Sequence, residues 1–174
     1  MMVMGKLTIT DECMAPDKYL KMKYSGPDPW GMAKKIGSTI RPFFHVSSSG
    51  TNNTHVKWDV VGENISFYSK WWVKRAMSSY SAMWIDIKIQ GSKNKKTNVG
   101  EFSISIWAQV RTDIEGMNIF LRPFWVVYSY IFYNKLRRKF IEVCNNRVLN
   151  FSQELKKHFN LETTEIPTAE GVYG

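Results

Sequence analysis

Between positions 63 and 113 the chain alternates apolar and polar residues in three long runs, and a period of two predicts strands with one wet side. In the first run, Ile65, Phe67, Ser69, Trp71 and Val73 share one phase, and Ser66, Tyr68, Lys70, Trp72 and Lys74 share the other. In the second, Met83, Ile85, Ile87 and Ile89 alternate with Trp84, Asp86, Lys88 and Gln90. In the third, Phe102, Ile104, Ile106, Ala108 and Val110 alternate with Glu101, Ser103, Ser105, Trp107, Gln109 and Arg111. Strands half exposed in this way belong to an antiparallel sheet. The polar stretch 91–100 connects the last two runs as a hairpin. Residues 55–63 read as a shorter strand with Val56, Trp58 and Val60 in phase, and residues 18–26 as another. Gly26, Pro27 and Pro29 end that earlier strand. Asp28 is placed to cap a helix that has Pro29 at its first position, buries Trp30, Ala33, Ile36 and Ile40, and stops before Pro42. Residues 46–55 have the composition of a loop.

Beyond residue 123 the period changes. Phe132, Leu136, Phe140, Val143, Cys144, Val148, Phe151, Leu155 and Phe159 recur at steps of three and four, which predicts one helix over 132–159, roughly 40 Å long. Arg137 and Arg138 fall off that stripe and are expected to face water. Just ahead, residues 124–133 hold six aromatic side chains in ten positions, with Ser129 the only polar residue that is not a tyrosine. A segment apolar all round is expected to be buried, here against the sheet. Pro123 can open its first turn.

The order is strand, helical segment, antiparallel meander, long C-terminal helix. The chain in this respect resembles the START-like helix-grip superfamily, also called SRPBCC. The resemblance rests on element order and covers residues 19 to about 161. It implies an α+β fold in which a curved antiparallel β-sheet wraps a long C-terminal α-helix, with a short helical segment after the first strand. It implies one domain, 1–161, followed by a flexible tail, 162–174. It also implies a cavity between sheet and helix for an apolar or aromatic small molecule or a lipid. The lining set is Trp58, Phe67, Trp71, Met83, Ile85, Ile104, Ile106, Tyr128, Phe132 and Leu136. Four strands follow the helical segment where six are usual, and residues 116–123 are a candidate further edge strand.

Charge opens a second reading. Lysine and arginine number 24 against 15 acidic residues, a net charge of +9, and the last 13 residues contribute three of the acids and no cation. Such a body attracts polyanions. Trp72, Trp84 and Trp107 lie on the polar phases of three strands, beside Lys74, Lys88 and Arg111. A sheet face of that composition suits single-stranded nucleic acid, whose bases stack on indoles while cations meet phosphates. Trp125, Tyr128, Tyr130 and Tyr133, followed by Arg137, Arg138 and Lys139, have instead the composition of a segment lying on an anionic membrane surface. Alternation alone leaves open which phase of the sheet is interior.

Catalytic chemistry is not indicated. His45, His55 and His158 lack metal-ligand spacing, no serine sits in a nucleophile elbow, and no glycine-rich phosphate loop precedes a helix. No cofactor is expected. Cys13 and Cys144 read as two separate thiols of a reducing compartment. With no signal-peptide pattern and no apolar run of about 20 residues, the expectation is a cytoplasmic protein without a transmembrane segment, whose sequons at Asn52, Asn64 and Asn150 are chance matches.

Overall fold

The computed structural model describes residues 4–159. The elements in chain order are β1 (Met4–Glu12), β2 (Leu20–Pro27), α1 (Pro29–Phe44), β3 (Thr51–Val61), β4 (Asn64–Ala76), β5 (Ser81–Asn94), β6 (Val99–Asn118), α2 (Arg122–Ile131) and α3 (Asn134–Phe159). Two 3-10 turns, Ser48–Gly50 and Ile119–Leu121, precede β3 and α2. This is an α+β fold: one six-stranded antiparallel sheet, with the long C-terminal helix packed on it and a shorter helix after the first strands.

The alternating runs form the β3–β4–β5–β6 meander, and β1 and β2 both pair with the outer edge of β6. β1 takes the far half of β6, from Met4 opposite Asn118 to Glu12 opposite Gln109. β2 takes the near half, from Leu20 opposite Ile106 to Pro27 opposite Val99. The two run in the same direction along one neighbour, so they act as a single long strand interrupted by an excursion over residues 13–19. β1 was not anticipated from the sequence. Its edge is held by polar contacts: Thr8 Oγ1 donates to Asp113 (2.6 Å), and Lys6 pairs with Glu115 (2.7 Å). Burial pushes the Asp113 carboxyl up, but hydrogen bonds from Thr8 and Arg111 and the charges of Arg111 and Lys6 outweigh it and hold it below the usual range. The candidate edge strand at 116–123 is instead the end of β6, the 3-10 turn and the start of α2.

One phase of each long strand is buried. Phe67, Trp71, Val73, Met83, Ile85, Ile87, Ile89, Phe102, Ile104, Ile106, Ala108 and Val110 form the core face. Onto it α1 lays Met32, Ala33, Ile36, Ile40 and Phe44, and α3 lays Cys144, Val148, Phe151 and Leu155. Phe151 sits 5.1 Å from Phe44 and 5.2 Å from Phe43, centroid to centroid, which locks the two helices together. α1 runs through Pro42 into its last turn and ends where His45 takes a left-handed conformation. Asp28 is itself left-handed (φ 48°) and makes no side-chain cap. Pro29, at the first position, has no N–H to satisfy, and the Gly31 N–H donates to the Asp28 carbonyl (3.0 Å) where a capping side chain would otherwise accept.

Four expectations are corrected. The aromatic run is not buried: Phe124 is 71% exposed, Tyr130 67% and Phe132 67%, while Ser129 is covered. The chain also breaks between α2 and α3 at Phe132 and Tyr133, so the helical stretch is two helices. Arg137 does not face water. It donates through Nε (2.9 Å) and Nη2 (2.5 Å) to the Asp11 carboxylate, and this hydrogen bonding favours its charged form. The reason is helical phase. The buried side of α3 runs Cys144, Val148, Phe151, Leu155, and two turns back from Cys144 that face falls on Arg137, not on Leu136. Last, Cys13 and Cys144 are not separate thiols. They form a disulfide (Cα–Cα 5.8 Å) that ties the 13–19 excursion to α3, and Asn145 Nδ2 donates to the Cys13 carbonyl beside it (2.9 Å).

Candidate functional site

The second phase of the strands forms a sheet face that none of the described helices covers. Strand register assembles its side chains in rows. Trp72 lies opposite Asp86, and Asp86 opposite Trp107. One row over, Lys74 lies opposite Trp84 and Trp84 opposite Gln109. Trp72 and Trp84 are therefore diagonal neighbours, and their rings lie 6.0 Å apart at 35°. Lys74 Nζ sits 4.9 Å over the Trp84 ring, a cation–π contact. Trp107 is fixed by its Nε1 donating to Glu12 (2.6 Å), with Lys18 Nζ 5.9 Å above its ring. All three indoles are half-buried, anchored at one edge and open at another.

All six candidate residues of this face, Trp72, Lys74, Trp84, Lys88, Trp107 and Arg111, and Lys70 with them, point to the same side and belong to contiguous rows; Lys70 itself is neutralised by Asp86 (3.1 Å). Arg111 is partly engaged, with Nε 3.1 Å from Asp113. Lys74 and Lys88 form no ion pair among the described residues. Between Trp107 and Lys88 lies a small pocket of about 130 Å³, completed by Lys18, Tyr19, Asp86 and Ser105.

Further along the same face is a groove of about 1000 Å³ that the sequence did not reveal. Its floor consists of two cross-sheet rows. One runs Lys57, Tyr68, Gln90, Ser103, Lys23, and the next runs Asp59, Ser66, Ser92, Glu101, Ser25. The bend that makes it concave is permitted by glycine. A Cβ on Gly91 would lie 2.2 Å from the Glu101 carbonyl oxygen, and one on Gly100 would lie 2.0 Å from that of Ser92. Only glycine lets β5 and β6 approach so closely there. The individual polar residues were visible as strand phases. Their convergence depends on register and on that bend, neither of which a single sequence states.

The expected ligand-lining set divides. Phe67, Trp71, Met83, Ile85, Ile104 and Ile106 are all in the packed core beneath α1 and α3. Trp58 stands at the open rim on β3, 45% exposed, edge-on to Trp30 at 5.0 Å. Tyr128, Phe132 and Leu136 lie on the outside of α2 and α3, away from the other seven. Of the inner positions, Phe67 borders the groove and Met83 a cleft beside α3, while the space beneath α1 is filled by Met32, Ile36 and Ile40, all at most 1% exposed.

Among the described residues no group of three His, Cys, Asp or Glu side chains is placed to hold a metal, and no helix is long and apolar enough to cross a membrane. No protein-family model and no curated protein sequence matches this chain.

Proposed function

We propose that this protein binds single-stranded nucleic acid across the open face of its sheet. The observation that carries the reading is the placement of Trp72, Trp84 and Trp107 on the face that no described helix covers, in adjacent rows with Lys74 and Lys88, which form no ion pair among the described residues. Partly open indoles give bases a stacking surface, and Lys21, Lys23, Lys74 and Lys88 lie where a backbone crossing the strands would run. The groove offers hydroxyl, amide and phenol groups from Ser66, Tyr68, Gln90 and Ser103 for base edges and sugars. A rigid strand platform suits this task because each side chain's direction is set by the ladder.

The architecture supports reading the chain as a divergent START-like, helix-grip protein, a fold that hosts unrelated functions, so the function has to be argued from the site. Retention of an apolar ligand or lipid between sheet and helix draws less support, since six of the ten side chains expected to line it are in the packed core and three lie on the outside of α2 and α3. Native mass spectrometry of protein purified from its own host tests that alternative: a co-purifying small molecule favours it.

The test of the main reading is fluorescence anisotropy with a labelled single-stranded oligonucleotide at several salt concentrations. If Lys21, Lys23, Lys74 and Lys88 each meet one phosphate, log K falls against log salt with a slope near −3. Trp84→Ala weakens binding about 5- to 150-fold, the range for loss of one stacked base. Salt-insensitive binding, or an unchanged affinity in both Trp84→Ala and Lys88→Gln, refutes the proposal.

A further inference from the structure

The exposed surface of α2 and the first half of α3 lies apart from the sheet face and is built differently. Residues 123–134 carry no charge. On α2 and the turn after it, Phe124, Val127, Tyr128, Tyr130, Ile131 and Phe132 are all exposed. Taking roughly 200 Å² for an aromatic side chain, the four rings alone present on the order of 500 Å² to solvent. That already reaches the largest apolar patch usual for a monomer, ~300–600 Å², before Val127 and Ile131 are added. The patch is held firmly from behind. Tyr133 Oη lies 2.9 Å from Ser81 Oγ, which lies 2.8 Å from Thr112 Oγ1, and Ser129 Oγ donates to the Val126 carbonyl.

The apolar surface continues along α3 on Leu136 and Val143, with Phe140 half-buried between them, a stripe beside the buried one that ends at Arg147. There a cleft of about 240 Å³ opens between α3 and the ends of β4 and β5. Its walls are apolar, from Met77, Met83, Phe140 and Val143, and its rim is cationic, from Arg75, Lys139 and Arg147. None of these three cations pairs with a carboxylate among the described residues. Arg75 spends one N–H on the Phe44 carbonyl (3.0 Å). Burial, and then the neighbouring charge of Arg75, make Arg147 harder to keep protonated, so an anion between them would relieve both. Lys135 and Arg138 add exposed positive charge next to the patch, whereas Arg137 is neutralised by Asp11.

We infer that this surface docks on an anionic phospholipid bilayer. The apolar rings of α2 enter the headgroup–acyl boundary, tyrosines sit at the headgroup level, and the phosphate of one lipid seats between Arg75, Lys139 and Arg147. The occupant follows from complementarity: an uncharged aromatic surface bordered by unpaired cations fits a medium that is apolar within and negative at its surface.

The experiment is flotation of the full chain with vesicles of phosphatidylcholine alone and of phosphatidylcholine plus phosphatidylserine, with inorganic phosphate as competitor. The expected result is binding to the mixed vesicles, weak binding to phosphatidylcholine, and little competition by phosphate. The triple variant Phe124→Ser, Tyr130→Ser, Phe132→Ser, all exposed positions, loses binding more than tenfold while its far-ultraviolet circular dichroism stays that of the parent. Lys139→Gln and Arg147→Gln each lower affinity for mixed vesicles about fivefold and leave the weak phosphatidylcholine binding unchanged. Trp84→Ala, on the sheet face, leaves flotation unchanged, so this inference and the nucleic-acid reading fail separately. Absence of flotation with mixed vesicles overturns it, as does a parent chain that sediments as a dimer while the triple variant is monomeric. Equal binding to both vesicle types, or protection by inorganic phosphate without flotation, also overturns it.

Discussion

Two adjacent arginines, Arg137 and Arg138, show how much of a residue's role is set by helical phase. Chemically they are the same and they are one position apart, yet one closes a two-pronged hydrogen bond on Asp11 and the other is exposed. The Arg137–Asp11 side chains are only 13% and 15% accessible, so removing one strands the other in a poorly hydrated place. Arg137→Ala is expected to lower stability by about 1.5–3 kcal/mol, as for hydrogen bonds to charged groups. Arg138→Ala should stay within about 0.5 kcal/mol of the parent. Urea melts of the two variants, side by side, check this, and equal midpoints would mean that the ion pair contributes nothing.

At the level of elements, the contrast is between the C-terminal half of α3 and α2. Phe151 is fully buried between Phe43 and Phe44, so Phe151→Ala should cost about 3–5 kcal/mol. Phe132 is mostly exposed, and Phe132→Ala should change the melting temperature little. Thermal denaturation of both variants decides whether α2 is a surface element or part of the core. Where the period was two and the run long, as in β4, β5 and β6, strand identity was legible, because it follows from alternation within a single strand, whereas which phase is interior depends on the side on which α1 and α3 pack. The C-terminal half of α3 was legible for the same reason at period 3.6. What escaped was set between elements. β1 carries a weak pattern and owes its place to pairing with the far half of β6. The break between α2 and α3 has no proline or glycine to announce it. An apolar segment was read as interior, although a surface that meets another phase has the same composition. For the candidate site, the tryptophan and lysine phases could be read from the chain, but the groove and the pairing of Lys70 with Asp86 needed the register.

For the molecule as a whole, the disulfide joins parts that are 131 residues apart in sequence. A link of that span restricts the unfolded chain by roughly 4–5 kcal/mol in the loop-entropy description. Cys144→Ser is therefore expected to lower stability by about 2–5 kcal/mol, and reductant should lower the parent's melting temperature but not the variant's. The link also makes residues 13 to 144 a closed covalent ring that contains α1 and all of β2 to β6. The β5–β6 hairpin loop, with Lys95 and Lys96 exposed at its tip, lies on that ring. A single tryptic cut there opens the ring without releasing anything. The nicked protein should migrate as one chain on a non-reducing gel and separate into an N-terminal and a C-terminal fragment once the disulfide is reduced. Each fragment would carry part of the sheet, β1 to β5 on one and β6 on the other, so the central strand pair would be held across the cut by its ladder and by one sulfur–sulfur bond.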